Sequence, residues 1–153
     1  MTTKRENFRY DASGLTHVTL RNVEVSRCPK CGEYEVAIPA IEQLHAALAR
    51  ALVTKRERLV PEEVRFLRKH LGLSGADFAR LMDAAPETVS RWERGSASMS
   101  VMAERLLRVF VATREPITGQ SLEELTATGT VKAKKQPLLT LELQRGTWHA
   151  AAA

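Results

Sequence analysis

The chain has 153 residues, of which 44% are hydrophobic, and it carries a formal net charge of +5. It contains no apolar run of membrane-spanning length, and its first residues lack the hydrophobic segment of a secretion signal. This excludes a membrane protein and predicts a cytoplasmic one. The hydrophobic content is enough for one ordinary core or two small ones, and the basic excess favours a polyanionic partner.

Two predicted strands flank the only cysteines of the chain. Residues 16–27 alternate in the manner of a strand, with apolar Val18, Leu20, Val23 and Val25, and a bulge or turn is expected near Arg21 and Asn22. Residues 34–38 form the second predicted strand. The motif Cys28-Pro-Lys-Cys31-Gly32 lies between them. A reducing cytosol leaves such a pair of thiols available for metal or redox chemistry.

Cys28 and Cys31 are candidate ligands of a zinc ion, but they are half of a site. Structural zinc takes four ligands, so His17 and His45 could complete the set within one chain, or two chains could share one ion through four thiolates. The other interpretation is a metal-free knuckle whose thiols act as small buried hydrophobic groups.

A thiol-disulfide enzyme is an alternative of a different class. It is disfavoured because such enzymes place the first cysteine at a helix N-terminus, whereas Gly32 and a strand follow here. The sequence contains no Ser/His/Asp pattern, glycine-rich phosphate loop or paired acids that would indicate catalysis. We therefore expect a protein that is not an enzyme.

A helix is predicted to begin at Pro39, because Ile41, Leu44, Leu48 and Leu52 recur at intervals of three to four residues. The charged segment 54–58 follows it and predicts a domain boundary at about residue 58. The first predicted domain is therefore residues 1–58.

Two short helices joined by a tight turn are predicted within residues 74–95. Ser74 is a good N-cap, and Asp77 three residues later completes a capping-box-like pair. Asp83 lies at the turn, where its side chain tolerates a left-handed backbone. Pro86 suits the first position of the second helix, which is predicted to end at Arg94. The predicted core of this region is Leu67, Phe78, Leu81, Met82, Val89, Trp92 and Leu106.

The second helix presents its polar side chains outward, since Val89 and Trp92 occupy the inward face. The sequence around it, Thr88-Val-Ser-Arg-Trp-Glu-Arg-Gly95, together with Leu67-Arg68, Leu73-Ser74 and Phe78-Ala79, resembles the lambda-repressor/Cro (Xre) helix-turn-helix family. The resemblance implies binding to double-stranded DNA and an ion pair between Arg68 and Glu93. The predicted DNA-binding residues are Pro86, Glu87, Thr88, Ser90, Arg91, Arg94 and Ser96.

The basic residues are not concentrated in this region: residues 61–112 contain eight Lys and Arg against seven Asp and Glu. DNA affinity must then depend on the placement of Arg91 and Arg94, on segments outside the region and on dimerisation. We predict an all-helical DNA-binding domain at residues 59–112 that acts as a homodimer.

The order of strand, Cys-Pro-x-Cys-Gly knuckle, strand, helix and helix-turn-helix resembles the MqsA/YgiT-type antitoxin family over about residues 15–112. The resemblance implies an N-terminal zinc-binding domain that holds a cognate toxin. It also implies a C-terminal domain that dimerises on a palindromic operator and represses the operon. The first Cys-x-x-Cys of that family is missing, because residues 1–10 contain no thiol. The alternative is a stand-alone Xre-type transcription regulator that senses a ligand or metal through residues 1–58.

The last segment, residues 113–153, is predicted to be a C-terminal extension. It follows a helix over about residues 99–112 and contains a short helix at residues 121–125 and a basic stretch with Lys132, Lys134 and Lys135. Residues 138–143 form a weak strand that would pair with its symmetry mate or with the N-terminal sheet. The predicted fold class is α+β, with a small β-knuckle and helix preceding a lambda-repressor-like helical domain.

Overall fold

A computed structural model of the protein describes residues 1–114, 132 and 138–151. These residues form a mixed α+β structure with a five-stranded sheet and five helices. Contacts divide the chain into two compact units, one of Met1–Ala47 with Gln136–Ala153 and one of Leu48–Lys135. The strands are β1 (Thr2–Arg9), β2 (Val18–Arg27), β3 (Tyr34–Ala37), β4 (Leu139–Gln144) and β5 (Thr147–Ala150), and the helices are α1 (Ile41–Thr54), α2 (Pro61–His70), α3 (Gly75–Leu81), α4 (Pro86–Arg94) and α5 (Val101–Arg114).

Strand β2 is the centre of the sheet. It pairs antiparallel with β1 along one edge, and on the other edge it pairs antiparallel with β3 and in parallel with β4. The register of β1 against β2 shifts between Glu6 opposite Val23 and Phe8 opposite Leu20, which leaves one extra residue in β2. Asn22 has a φ of 58° at this point. The bulge predicted near Arg21 and Asn22 is confirmed, and it keeps both apolar pairs of β2 buried despite the odd spacing.

The C-terminal strands complete this sheet. Strand β4 pairs with β2 from Val18 opposite Leu139 onward, and β5 returns antiparallel to β4. Leu141 and Trp148 are buried, and the Trp148 indole N–H donates to the carbonyl oxygen of Pro39 at 2.8 Å. Of the two pairings expected for residues 138–143, the structure therefore has the one with the N-terminal sheet.

The contact division differs from the predicted segments 1–58, 59–112 and 113–153. It falls between Ala47 and Leu48, within α1, and it joins the C-terminal strands to the first unit. The predicted helix at residues 121–125 and the basic residues Lys134 and Lys135 lie outside the described residues. None of the described helices is long and apolar enough to cross a membrane.

The second unit, Leu48–Lys135, is called the helical unit here. Its short helices have clear local signals for where they begin and end. Ser74 caps α3, since its Oγ accepts from the backbone N–H of Asp77 at 3.0 Å. Asp83 adopts the predicted left-handed backbone with a φ of 50°. Helix α4 begins at Pro86 and ends at Arg94, and Gly95, with a φ of 78°, is its C-cap. Helix α4 packs on α2 and α3.

A buried charge network, which no pattern in the sequence predicts, joins the end of α1 and the segment after it to α5. Arg108 is 1% exposed and donates to the carbonyl oxygens of Val53, Lys55 and Glu57 as well as to the Glu104 carboxylate. Glu104 also accepts from the Arg58 guanidinium and, at 3.0 Å, from the Leu59 N–H. The charged connector is thus held within the helical unit.

Two residues of the predicted core are exposed. Leu81 at the end of α3 is 43% exposed and Leu106 in α5 is 40% exposed, whereas Leu67, Phe78 and Val89 are buried. Trp92 and Met82 are half-buried. The prediction for Leu81 and Leu106 was wrong, because an apolar residue can lie on a helical face that no other described element covers.

Candidate nucleic-acid interface

The position of α4 is set by its inward face. Val89 is 2% exposed, and Trp92 one turn later is half-buried. The start of the helix depends on backbone geometry, because Ala85 at the N-cap forms no side-chain cap hydrogen bond and Pro86 fixes φ in the first turn. Glu87 places a carboxylate at the positive end of the helix dipole.

An ion pair fixes the other end of α4 to α2. Arg68 donates through Nε to Glu93 Oε1 at 2.5 Å and through Nη2 to Oε2 at 3.2 Å, and its Nη1 donates to the Leu73 carbonyl oxygen at 2.8 Å. The two side chains are 11% and 12% exposed. The predicted Arg68–Glu93 pair is confirmed, and its forked geometry restricts rotation of α4 about its own axis.

The outward face of α4 carries most of the predicted contact residues. Pro86, Glu87, Ser90, Arg91 and Arg94 are exposed, whereas Thr88 is half-buried. Arg94 donates through Nε to the Ser90 carbonyl oxygen at 3.3 Å, a contact within its own helix. Within residues 1–114, 132 and 138–151, no hydrogen bond or ion pair engages the side chains of Glu87 and Arg91. Among the described residues, this face therefore combines an unpaired guanidinium with an unpaired carboxylate.

The turn after α4 lies close to the start of α2. A Cβ atom added at Gly95 would lie 3.2 Å from Pro61 Cγ, and the backbone there is left-handed. Ser96 is exposed, and its N–H donates to the Arg91 carbonyl oxygen at 3.0 Å. The Ser96 N–H is therefore used inside the protein, and the hydroxyl is the group that Ser96 presents outward.

The second candidate site is the thiol pair between β2 and β3. The turn is closed by hydrogen bonds from the Cys28 N–H to the Glu33 carbonyl oxygen at 2.8 Å and from the Gly32 N–H to the Cys28 carbonyl oxygen at 3.0 Å. Cys28 is half-buried and Cys31 is exposed, and both are free thiols. Hydrogen bonds from the backbone of Cys31 and Lys30, and from the Cys31 thiol, lower the pKa of Cys28 below its ordinary value.

The histidines proposed as additional ligands do not join this pair. His45 lies against Tyr10, with His45 Nε2 3.0 Å from the Tyr10 hydroxyl, and burial raises the pKa of that hydroxyl. His17 is buried at 8% exposure. In the part of the chain that the structure describes, no three His, Cys, Asp or Glu side chains form a group that could hold a metal ion. The described residues of one chain thus form no four-ligand group of the kind that structural zinc takes, and zinc binding stays a prediction.

Strands β3 and β4 pair with different segments of the same edge of β2. A cleft of about 410 Å³ lies in the first unit near the gap between them. Its lining combines apolar Val23, Ile38 and Leu143 with the ion pair of Arg5 and Glu24, whose nearest atoms are 3.0 Å apart. The volume is in the range of small-molecule sites. Sequence periodicity does not indicate this cleft, because it results from two strands that share one edge.

Searches of protein-family models, curated proteins and solved structures each find no match to this chain.

Proposed function

We propose that the protein binds double-stranded DNA in a sequence-specific manner and acts as a transcriptional repressor, with α4 entering the major groove. The observation that supports this best is the outward face of α4. Arg91 and Glu87 are exposed there and pair with no other described residue, while Val89 and the Arg68–Glu93 pair anchor the helix from behind. An exposed reading face on a rigidly held helix is what recognition of base edges requires.

The chemistry of the two free side chains suggests which bases they contact. The planar guanidinium of Arg91 matches the O6 and N7 acceptors of guanine, and the Glu87 carboxylate can accept from the amino group of cytosine. Both contacts lie on base edges in the major groove. We assign Ser96 and Arg94, which are exposed at the end of the helix, to phosphate contacts, which orient the protein without selecting a sequence.

The proposal includes a homodimer, and α5 offers the surface for it. Met102, Leu106 and Val109 follow one another at intervals of four and three residues, and they are 81%, 40% and 39% exposed. They therefore form one apolar face of the helix. We assign this face to a second copy of the chain, because the near balance of charge in residues 61–112 does not oppose self-association and paired half-sites compensate for weak electrostatic binding.

The assignment to α5 is tested with a charged substitution. Leu106→Glu should yield a monomer in sedimentation experiments and a large loss of DNA affinity, while the far-UV circular dichroism stays unchanged because the side chain is already partly exposed. The exposed Arg56→Ala variant serves as a control and should remain dimeric. A wild-type protein that is monomeric at micromolar concentration, both free and on DNA, would exclude the homodimer.

The specific form of the proposal is the antitoxin of a type II toxin-antitoxin operon. It is supported by the resemblance to the MqsA/YgiT-type family and by the Cys28–Cys31 knuckle between two antiparallel strands. The second candidate is a regulator that senses a small molecule, and it is favoured by the cleft beside Val23 and Leu143. A toxin-like reading frame next to this one, and a stable complex of the two products, would distinguish the antitoxin from the sensor.

The DNA-binding proposal is tested by selecting duplexes from a randomised pool and titrating the preferred sequence. Arg91→Ala should lose about 1–3 kcal/mol on that sequence and little on random DNA, because a base contact carries the difference. Arg56→Ala removes the same charge from an exposed position outside α4 and should leave the discrimination intact. Failure of the wild type to enrich any sequence would refute the proposal. Equal affinities of wild type and Arg91→Ala would refute the assignment of α4 as the reading helix.

A further inference from the structure

We propose that a cavity beside the inward face of α4 binds a small aromatic carboxylate. The cavity has a volume of about 770 Å³, which is within the range of small-molecule sites. Its described lining residues all belong to the helical unit, and they come mainly from α2, α4, the start of α5 and the segments that precede α2 and α5. This site is separate from the outward face of α4, and the inference does not rest on DNA binding.

The apolar part of the lining favours a ligand with an aromatic ring. Trp92 lies on the inward face of α4, but it is only half-buried, and it lines the cavity together with Pro61, Val64 and Met99. The indole offers a broad flat surface on which a second ring can pack. A rigid ring also loses less conformational freedom on binding than a flexible chain of similar area. The body of the ligand is therefore assigned to an aromatic group.

The charged part of the lining favours an anion. Among the described lining residues, Glu104 is the only acid, and the cations are Arg58, Arg105 and Lys132. Glu104 is already engaged within the protein, because its carboxylate accepts from Arg58 and, at 2.8 Å, from the buried Arg108. A doubly charged phosphate would lose more hydration against the apolar lining than a singly charged carboxylate. The charged group of the ligand is therefore assigned to a carboxylate.

Arg58 and Trp92 supply donors that a carboxylate can use. Arg58 donates through Nε to Glu104 and through Nη2 to the Met99 carbonyl oxygen at 2.5 Å, and these two contacts hold its guanidinium in place. Its Nη1 and the Trp92 indole N–H donate to no other described residue. Arginine and indole nitrogens can only donate, so a ligand in this cavity must bring acceptors. A carboxylate brings two acceptor oxygens, and its hydrogen bond with a guanidinium is charge-assisted.

The test titrates the full-length protein, without DNA, with cinnamate and with cinnamamide, its neutral counterpart. Heteronuclear NMR of the labelled protein reports on the two indole N–H groups separately. The signal of Trp92, identified by its absence in Trp92→Phe, should shift with cinnamate. The signal of Trp148, whose N–H is bonded to the Pro39 carbonyl oxygen, should not move. Cinnamamide should bind at least about tenfold more weakly, because it lacks the charge-assisted hydrogen bond.

A pair of variants tests the anchoring cation. Arg58→Gln should weaken cinnamate binding about tenfold and leave cinnamamide binding unchanged, whereas Arg56→Gln, at an exposed position outside the cavity lining, should alter neither. Circular dichroism verifies that Arg58→Gln is folded, and the comparison of acid and amide on the wild type needs no variant.

Three results would overturn the proposal. The first is a Trp92 signal that does not move at millimolar cinnamate. The second is equal affinity of the wild type for cinnamate and cinnamamide. The third is displacement of cinnamate by an equal concentration of inorganic phosphate, because the cavity would then recognise charge without the aromatic ring.

Discussion

Replacement of Arg108 tests whether the buried charge network holds the segment after α1 against α5. Arg108→Met keeps the length of the side chain but removes the donors to three backbone carbonyls and to Glu104. Val53 is fully buried, so water cannot replace the donor to its carbonyl oxygen, whereas Lys55 and Glu57 are only half-buried and can regain water. The network thus loses one unrecoverable backbone hydrogen bond and one buried ion pair.

The magnitude follows from these losses. An unsatisfied buried carbonyl costs about 1–3 kcal/mol, and breaking one partner of a buried ion pair costs about 3–5 kcal/mol. The two contributions overlap, and Glu104 keeps its contacts with Arg58 and Leu59. We therefore expect a loss of about 3–5 kcal/mol in the free energy of unfolding, which is a large part of the ~5–15 kcal/mol available to a typical domain.

Urea unfolding followed by far-UV circular dichroism measures this loss, because most of the described helical residues belong to the helical unit. Arg94→Met is the matched control, because it removes an exposed helical arginine whose hydrogen bond with a described residue goes to its own helix. It should change stability by less than about 0.5 kcal/mol. A loss below about 1 kcal/mol for Arg108→Met would refute the reasoning, because water would then have replaced every donor.

Three further outcomes are expected. Gly95→Ala should destabilise the helical unit by about 1–2 kcal/mol in the same urea assay, because Gly95 has a left-handed backbone and its new Cβ would press on Pro61; unchanged stability would contradict that geometry. Arg68→Ala should lower stability by about 3–5 kcal/mol and weaken DNA binding through the loss of the Glu93 contact, whereas the exposed Arg65→Ala, 4.0 Å from the same carboxylate, should have little effect on either. The hydrogen bond from Ser74, and then that from Arg80, lower the pKa of Asp77, so its stabilising contribution is present above the unfolded pKa and is lost as the pH falls through the folded value. Asp77→Asn should therefore be less stable than wild type at neutral pH, and the gap should close in acid; a gap that persists there would have another cause.

The sequence alone determined the elements whose signals are local. Ser74, Asp83, Pro86 and Gly95 each act through their own backbone or a neighbour within one turn, so the bounds of α3 and α4 could be predicted from residue types. The bulge in β2 could be predicted for the same reason, because the odd spacing between Leu20 and Val23 breaks the strand alternation within the sequence. The Arg68–Glu93 pair joins residues far apart in the chain, and only the family resemblance indicated it.

Tertiary structure decided the features that depend on a distant partner. All residues of β1 except Phe8 are polar or charged and show no strand pattern, but pairing with β2 supplies their backbone hydrogen bonds. The spacing of four residues between Glu104 and Arg108 is typical of an exposed helical ion pair. In the structure both side chains are buried, because the end of α1 supplies a carbonyl acceptor for Arg108. The outward position of Leu106 shows the converse, because an apolar residue is buried only when another surface covers it. Such partners are distant in sequence, so no local sequence pattern predicts them.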